Sequence, residues 1–256
     1  MLTDWIPLID QIRDETGTAF DPDRPQPLSG GCISDAYRLS DGRAAFFVKV
    51  NRAESLPQLT GEASALDALR DAGPVRVPET VCTGSDGQHA WLVLEYVVFG
   101  PPRRGSEARF GGELASMHRA IGDQFGWVRD NTLGTTTQHN ACSLDWVAFW
   151  SEHRLGFQLE LAESRGFGAR LAGRGARLRD ALPDLLGGHR PVPSLLHGDL
   201  WSGNIGYDAR GRPVIYDPAS YYGDREADLA MTELFGGLGR EFYAAYQDAW
   251  PLDKGY

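Results

Sequence analysis

The run Ser194-Leu-Leu-His-Gly-Asp-Leu-Trp-Ser-Gly-Asn204, closed by Pro213-Val-Ile-Tyr-Asp-Pro-Ala219, decides how this chain is read. It places Asp199 five positions before Asn204 on one loop and eighteen before Asp217, which ends an apolar strand. Asp, Gly and Asn are also ordinary turn residues, and each of the three alone is more readily a turn than a site. Together they match the parts of phosphoryl transfer. There one Asp accepts the proton of the attacking hydroxyl, an Asn of the same loop holds Mg²⁺, and a second Asp bridges the metal to the nucleotide phosphates. Carboxylate and amide oxygens suit the task because Mg²⁺ is a hard, octahedral, oxygen-binding cation.

Working outward, Lys49 lies among Phe46, Phe47, Val48 and Val50, where a lysine is costly unless it meets an anion. Glu62, thirteen positions on in a helical stretch, is a candidate partner. In kinase-type sites such a lysine reaches the α/β-phosphates and such a glutamate positions it. An edge-strand lysine facing water is the alternative. Gly30-Gly31-Cys32-Ile33-Ser34 lies between two strands and can either cover phosphates with its backbone N–H groups or make a tight turn. Leu92-Val-Leu-Glu-Tyr-Val97 reads as a strand whose end, from Glu95 to Val97, offers backbone groups to an adenine edge or simply packs in the core.

The rest of the chain frames these residues. A leading helix over 3–16 has Thr3 or Asp4 as N-cap and Gly17 as its stop. Strands are expected over 36–40, 45–50, 75–83 and 90–98, with one helix inserted after Pro57. After Gly100-Pro-Pro-Arg-Arg-Gly105 the pattern turns helical, near 107–121, 143–165, 168–186, 225–235 and 239–249. The division falls between 1–98, an antiparallel sheet with one helix, and 99–256, mainly helical. A cleft between two such lobes is where a ligand goes.

Composition narrows the partners. The 25 Lys+Arg against 35 Asp+Glu give a net charge of −10, which repels a polyphosphate backbone and argues against nucleic acid. Three cysteines, Cys32, Cys82 and Cys142, form no disulfide or zinc framework, and the acidic N-terminal stretch and short apolar runs suggest neither a signal peptide nor a membrane span. The expectation is a cytoplasmic protein.

The ordered set Gly30–Ser34, Val48-Lys49-Val50, Glu62, Leu92–Glu95, His197–Asn204, Asp217-Pro-Ala-Ser-Tyr-Tyr-Gly223 and Glu226-Ala-Asp-Leu-Ala-Met231 resembles the fructosamine-3-kinase (ketosamine-3-kinase) family. The resemblance covers nearly the whole chain, although the family pattern runs on past Tyr256 through a further helical stretch. It implies an α/β (α+β) protein-kinase-like bilobal fold, with an ATP-binding lobe at 1–98 and a catalytic and substrate lobe at 99–256. ATP would lie under Gly30, Gly31 and Ser34, with adenine at Glu95 and Val97, phosphates at Lys49 braced by Glu62, and Mg²⁺ at Asn204 and Asp217. Asp199 would be the proton acceptor. The family phosphorylates the O3 hydroxyl of free or lysine-borne ketosamines, and the 3-phosphate then breaks down to release the amine. By the same resemblance Trp201 and Asn131 face the sugar, Asp228 braces the catalytic loop, and Cys32 is a candidate redox switch able to link two chains. Other readings are a kinase of an aminoglycoside or choline-like amine and a nucleotide-binding pseudokinase. Cofactors and partners follow as ATP, Mg²⁺ and ketosamines, with no nucleic acid and no membrane.

Overall fold

The computed structural model describes Leu2, residues 4–28 and residues 34–253. Gly30, Gly31 and Cys32 lie outside the described residues. Strands β1 (Gln26–Leu28), β2 (Asp35–Ser40), β3 (Ala45–Arg52), β4 (Thr80–Ser85) and β5 (His89–Glu95) form one antiparallel sheet in the order β1-β2-β3-β5-β4. Side chains alternate across it with period two. Val48, Val50, Trp91 and Val93 pack on one face with Leu8 and Ile12 of α1 (Ile6–Thr16). Leu92 and Leu94 pack on the other with Leu59, Leu66 and Leu69 of α2 (Leu56–Ala72). Both faces are covered, which is why β5 carries an unbroken apolar run rather than alternation. Each such fully buried aliphatic side chain contributes about 1.5–3 kcal/mol.

Two boundaries differ from the sequence expectation. Helix α1 starts at Ile6 with Trp5 as N-cap, and Asp4 Oδ1 accepts the Ile6 N–H at 3.0 Å from one residue further out. Gly17 stops it as expected, with φ +64°. The strand expected from Val75 begins only at Thr80. Pro78 removes a ladder donor, and Arg76 pairs elsewhere: its carbonyl accepts the Ile215 N–H at 3.0 Å.

The remaining chain runs β6 (Phe99–Gly100), α3 (Ser106–Met117), β7 (Asn131–Leu133), β8 (Thr136–Gln138), α4 (Trp146–Phe149), α5 (Phe157–Ser164), α6 (Gly168–Leu186), β9 (Ser194–Leu196), β10 (Ile205–Asp208), β11 (Pro213–Ile215), β12 (Tyr221–Gly223), α7 (Glu226–Leu234) and α8 (Arg240–Ala249). Helices α3 and α8 pack face to face, with the Phe110 and Phe242 rings 5.0 Å apart. The single helix expected over 143–165 is interrupted by a wider π-helical turn over Trp150–Gly156. Within that turn Arg154 lies over the rings of Phe149 and Tyr221, at 4.7 and 4.2 Å, and donates to the carbonyl of His139 and to Asn140 Oδ1. Asn131 begins the β7–β8 hairpin, paired with Gln138.

The two halves are joined by more than the chain. Strand β6 pairs with β10, and the Arg76 guanidinium binds both Glu95 and, at 2.9 Å, the buried Asp208. Among the described residues no helix is long and apolar enough to cross a membrane.

Candidate active site

Lys49 sits mid-strand on β3, opposite Ala36 of β2 and Leu92 of β5. Its Nζ donates to Glu62 Oε1 at 2.7 Å and to Asp217 Oδ1 at 2.6 Å. Burial opposes its charge, but the two carboxylates together raise its pKa above the ordinary lysine value. The lysine is therefore a fixed cation, which is the state that attracts phosphate oxygens.

The loop that carries Asp199 leaves β9 at Leu196 and is held from beneath by Asp228, a buried residue of α7. Its carboxylate accepts the backbone N–H groups of His197, at 2.7 Å, and Gly198, at 2.9 Å. A third partner is His118, buried at the end of α3, whose Nε2 stands 3.2 Å from Asp228 and whose Nδ1 meets the Tyr246 hydroxyl at 2.8 Å. A carboxylate can only accept, so the proton between them is carried on His118 Nε2. Burial pushes the Asp228 carboxyl up, yet the His118 bond and the backbone donors outweigh it and hold it below the ordinary aspartate value. His197 is itself buried, and burial pushes its imidazole below the usual range, toward the neutral form. Its Nε2 donates to the Tyr216 carbonyl at 3.0 Å, and Nδ1 accepts the Asp199 N–H at 3.3 Å. One neutral tautomer thus ties the loop to the strand end before Asp217.

Asn204 donates through Nδ2 to both the carbonyl and Oδ2 of Asp199, each at 2.9 Å. That fixes the amide so that Oδ1 is the atom left for a cation. Burial pushes the Asp199 carboxyl up to about 6; Asp217 and Asp228 add to this and the Asn204 bond opposes it. A base with a pKa near the working pH is suited to receiving a hydroxyl proton. Asp217 has φ +58°, a left-handed conformation uncommon outside glycine and frequent at functional sites. The segment around it is pinned to the loop that carries Asp199, with Tyr216 N–H donating to the Asn204 carbonyl at 3.1 Å and Ala219 N–H to that of His197 at 2.9 Å. Asn204 Oδ1 and the Asp217 carboxylate form an all-oxygen donor pair of the kind Mg²⁺ takes, so the residues present fit that metal.

Other expected site residues fall differently. Ser34 Oγ accepts from Asn51 Nδ2 at 3.2 Å. The Glu95 carboxylate is engaged by Arg76, and its backbone N–H donates to the Glu79 carbonyl at 2.8 Å. Val97 is buried. Asn131 has its amide held on both sides: Nδ2 donates to the Ser220 carbonyl at 2.9 Å while Oδ1 accepts from Gln138 and Asn140. Through these bonds it braces the segment after Asp217. Trp201 is 37% exposed beside the loop. Two contributors escaped the sequence reading. His118 reads as a core histidine, and only its partners reveal the brace; Arg76 carries no sequence signal at all.

A strand lysine paired to a helix glutamate, above a loop that carries Asp199 and Asn204 and a strand-end Asp217, defines a protein-kinase-like phosphotransferase with two lobes. More narrowly, the chain belongs to the fructosamine kinase family, whose model matches residues 4–256. It is 44% identical over 256 residues to a protein of Synechocystis sp. named "Probable ketoamine kinase", covering 98% of this chain and 85% of that one. With the chloroplastic protein-ribulosamine 3-kinase of Arabidopsis thaliana it shares 40% identity over 232 residues, or 90% of this chain and 71% of the other. A solved structure from Haemophilus somnus 129PT, named for fructosamine-3-kinase, matches with a TM-score of 0.90 at 28% identity, covering 98% of this chain and 84% of that one. The chain is accordingly a kinase with a hydroxyl group as acceptor.

Proposed function

We propose that this kinase transfers the γ-phosphoryl group of ATP to the O3 hydroxyl of ketosamines of the fructosamine or ribulosamine type, on free amines or protein lysines, and so acts in deglycation. The observation that carries the mechanism is the placement of Asp199, pushed up to about 6 by burial, on the loop whose Asn204 fixes its carboxylate at 2.9 Å. In this reading Asp199 takes the proton from O3 as the oxygen attacks phosphorus. Lys49 orients the phosphates, and Glu62 keeps its ammonium in place. Asn204 and Asp217 would hold Mg²⁺, which supplies charge neutralisation at the phosphate oxygens. Ser34 and the Gly30-Gly31 pair would cover the phosphates, and Trp201 would contact the sugar. The lobes divide between Val98 and Phe99.

The position of the acceptor oxygen is supported by the name of the plant relative, a protein-ribulosamine 3-kinase. The test is ATP turnover in the presence of an added ribulosamine or fructosamine, with the phosphorylated carbon assigned by NMR. Turnover dependent on the ketosamine with the phosphate on O3 is the expected result. Equal rates with free ribulose or fructose would overturn the reading.

A further inference from the structure

Phe235, directly after α7, is 61% exposed, and its ring stands 5.5 Å from that of Trp201 at 63°. Neither ring belongs to a core cluster. Trp201 is tethered to the catalytic loop by its N–H, which donates to the Asp199 carbonyl at 3.0 Å. Its indole lies over Gly203, where any side chain would run into the ring. The two rings therefore form a ledge that begins two residues past Asp199 and leads outward to Phe235. Leu234, 68% exposed, continues the apolar surface. Exposed aromatic rings grouped beside a catalytic loop mark a surface that a ligand covers.

The chemistry of a ketosamine states which part of the ligand that is. With O3 at Asp199, the amine nitrogen lies three carbons away along the sugar, and whatever the nitrogen carries must leave the cleft. A small free ketosamine ends before the outer ring. A lysine-borne one continues through four methylenes into a polypeptide, and that stem is the apolar partner an edge-to-face ring pair accommodates. The nitrogen, when protonated, also gains from a ring face.

We infer that Phe235 is a specificity residue which, with Trp201, receives the lysine stem of a protein-borne ketosamine, an assignment that rests on the ketosamine reading above. Gly236 and Gly237, at φ +117° and +71°, turn the chain away immediately after it and leave the ring standing clear. Selection acts through binding of the acceptor's stem and leaves the phosphoryl-transfer residues untouched.

The experiment compares kcat/KM for two acceptors, a ribulosamine on the central lysine of a short peptide and the ribulosamine of methylamine. The readout is the ratio of the two in wild type and in Phe235→Ala, with Phe235→Tyr as the variant that keeps the ring. Losing the burial of part of a phenyl ring should lower the peptide-to-methylamine ratio roughly tenfold in Phe235→Ala, through KM, while Phe235→Tyr keeps the wild-type ratio. An unchanged ratio in Phe235→Ala, or an equal loss on both acceptors, overturns the assignment alone. A wild-type enzyme inactive on both acceptors overturns the ketosamine reading and the assignment with it.

Discussion

Lys49 and Asp217 stand 168 positions apart in the chain, yet Lys49 Nζ lies 2.6 Å from Asp217 Oδ1. The same ammonium is 2.7 Å from Glu62, so one cation closes the gap between the sheet, the inserted helix and the strand-end aspartate. Without it two carboxylates would face each other across the cleft. Lys49→Met should therefore do two things: weaken ATP binding, and lower Tm measurably in the nucleotide-free protein, because removing the cation leaves the largely buried Glu62 carboxylate uncompensated. Asp217→Ala should instead abolish the tightening of nucleotide binding by Mg²⁺. Isothermal titration with and without Mg²⁺ separates the two. Mg²⁺ dependence retained in Asp217→Ala would count against the metal assignment.

Asp199 gives a pH dependence with a definite sign. Its folded-state carboxyl is pushed up to about 6, whereas in the unfolded chain it ionises near the ordinary value of about 3.9. At low pH both states hold the proton and Asp199 is neutral in the balance. As pH rises through the unfolded value the unfolded chain gives up its proton first, so stability is lost between those two pH values and stays lost above them. Asp199→Asn removes this penalty. In metal-free, nucleotide-free protein the variant should melt higher than wild type at about pH 7.5 and nearly level with it at about pH 4. Its turnover should fall by about 10²–10⁴-fold, as for loss of a general base. Thermal melts across the pH range check the first claim and single-substrate kinetics the second. A stability gap that does not grow with pH would contradict the burial argument.

How much of this could be read in the sequence depends on where each residue's partner lies. Lys49 is legible because a charge inside an apolar strand demands an anion, and Glu62 follows at helical distance. Asp199, Asn204 and Asp217 are legible because they sit in one short insert with fixed spacing. Asn131 is different: its amide is held by the Ser220 carbonyl and by Gln138 and Asn140, and no pattern in the chain shows a backbone carbonyl approaching from 89 residues away. The same holds for Arg76 as the partner of the Glu95 carboxylate, and for the π-helical turn that carries Arg154. Periodicity predicts a continuous helix there and cannot register a cation stacked on two rings. Local pattern finds residues whose chemistry is written in their own neighbourhood. Tertiary hydrogen bonds decide the rest.

Asp228 accepts two backbone N–H groups and His118 in a site closed to solvent. Asp228→Ala leaves all three donors unpaired, at a cost of roughly 3–5 kcal/mol for the loss of a buried charged partner. Asp228→Asn keeps one acceptor oxygen but turns an amide NH₂ toward a donor, so it should also destabilise, by less. His118→Phe keeps a planar ring and both backbone donors to Asp228 while removing the third donor and the Nδ1 partner of the Tyr246 hydroxyl, and should be the mildest. The expected order of Tm is wild type, His118→Phe, Asp228→Asn, Asp228→Ala. Catalytic loss should follow the same order, because the loop that carries Asp199 is what the carboxylate holds. An Asp228→Ala protein as stable as wild type would show that the loop is held by something else.

Two glycines of the catalytic loop should fail in opposite ways when given a methyl group. Gly198 has φ +82°, and a Cβ there would run into the carbonyl of Ala219, a residue fixed by its own N–H donating to the His197 carbonyl and by its carbonyl accepting from Gln138. Neither party can yield, and the Gly198 N–H would also be drawn off Asp228. Gly198→Ala should therefore lower Tm and activity together. At Gly203 the colliding atoms belong to the outer ring of Trp201, the far end of a side chain that can swing into solvent. Gly203→Ala should leave Tm close to wild type, since only an exposed indole is displaced. What it removes is the ledge shared with Phe235, so KM for a lysine-borne ketosamine should rise several-fold, by about the value of an aromatic contact, with little change in kcat. A Gly203→Ala protein with wild-type KM would mean that the acceptor does not rest on Trp201.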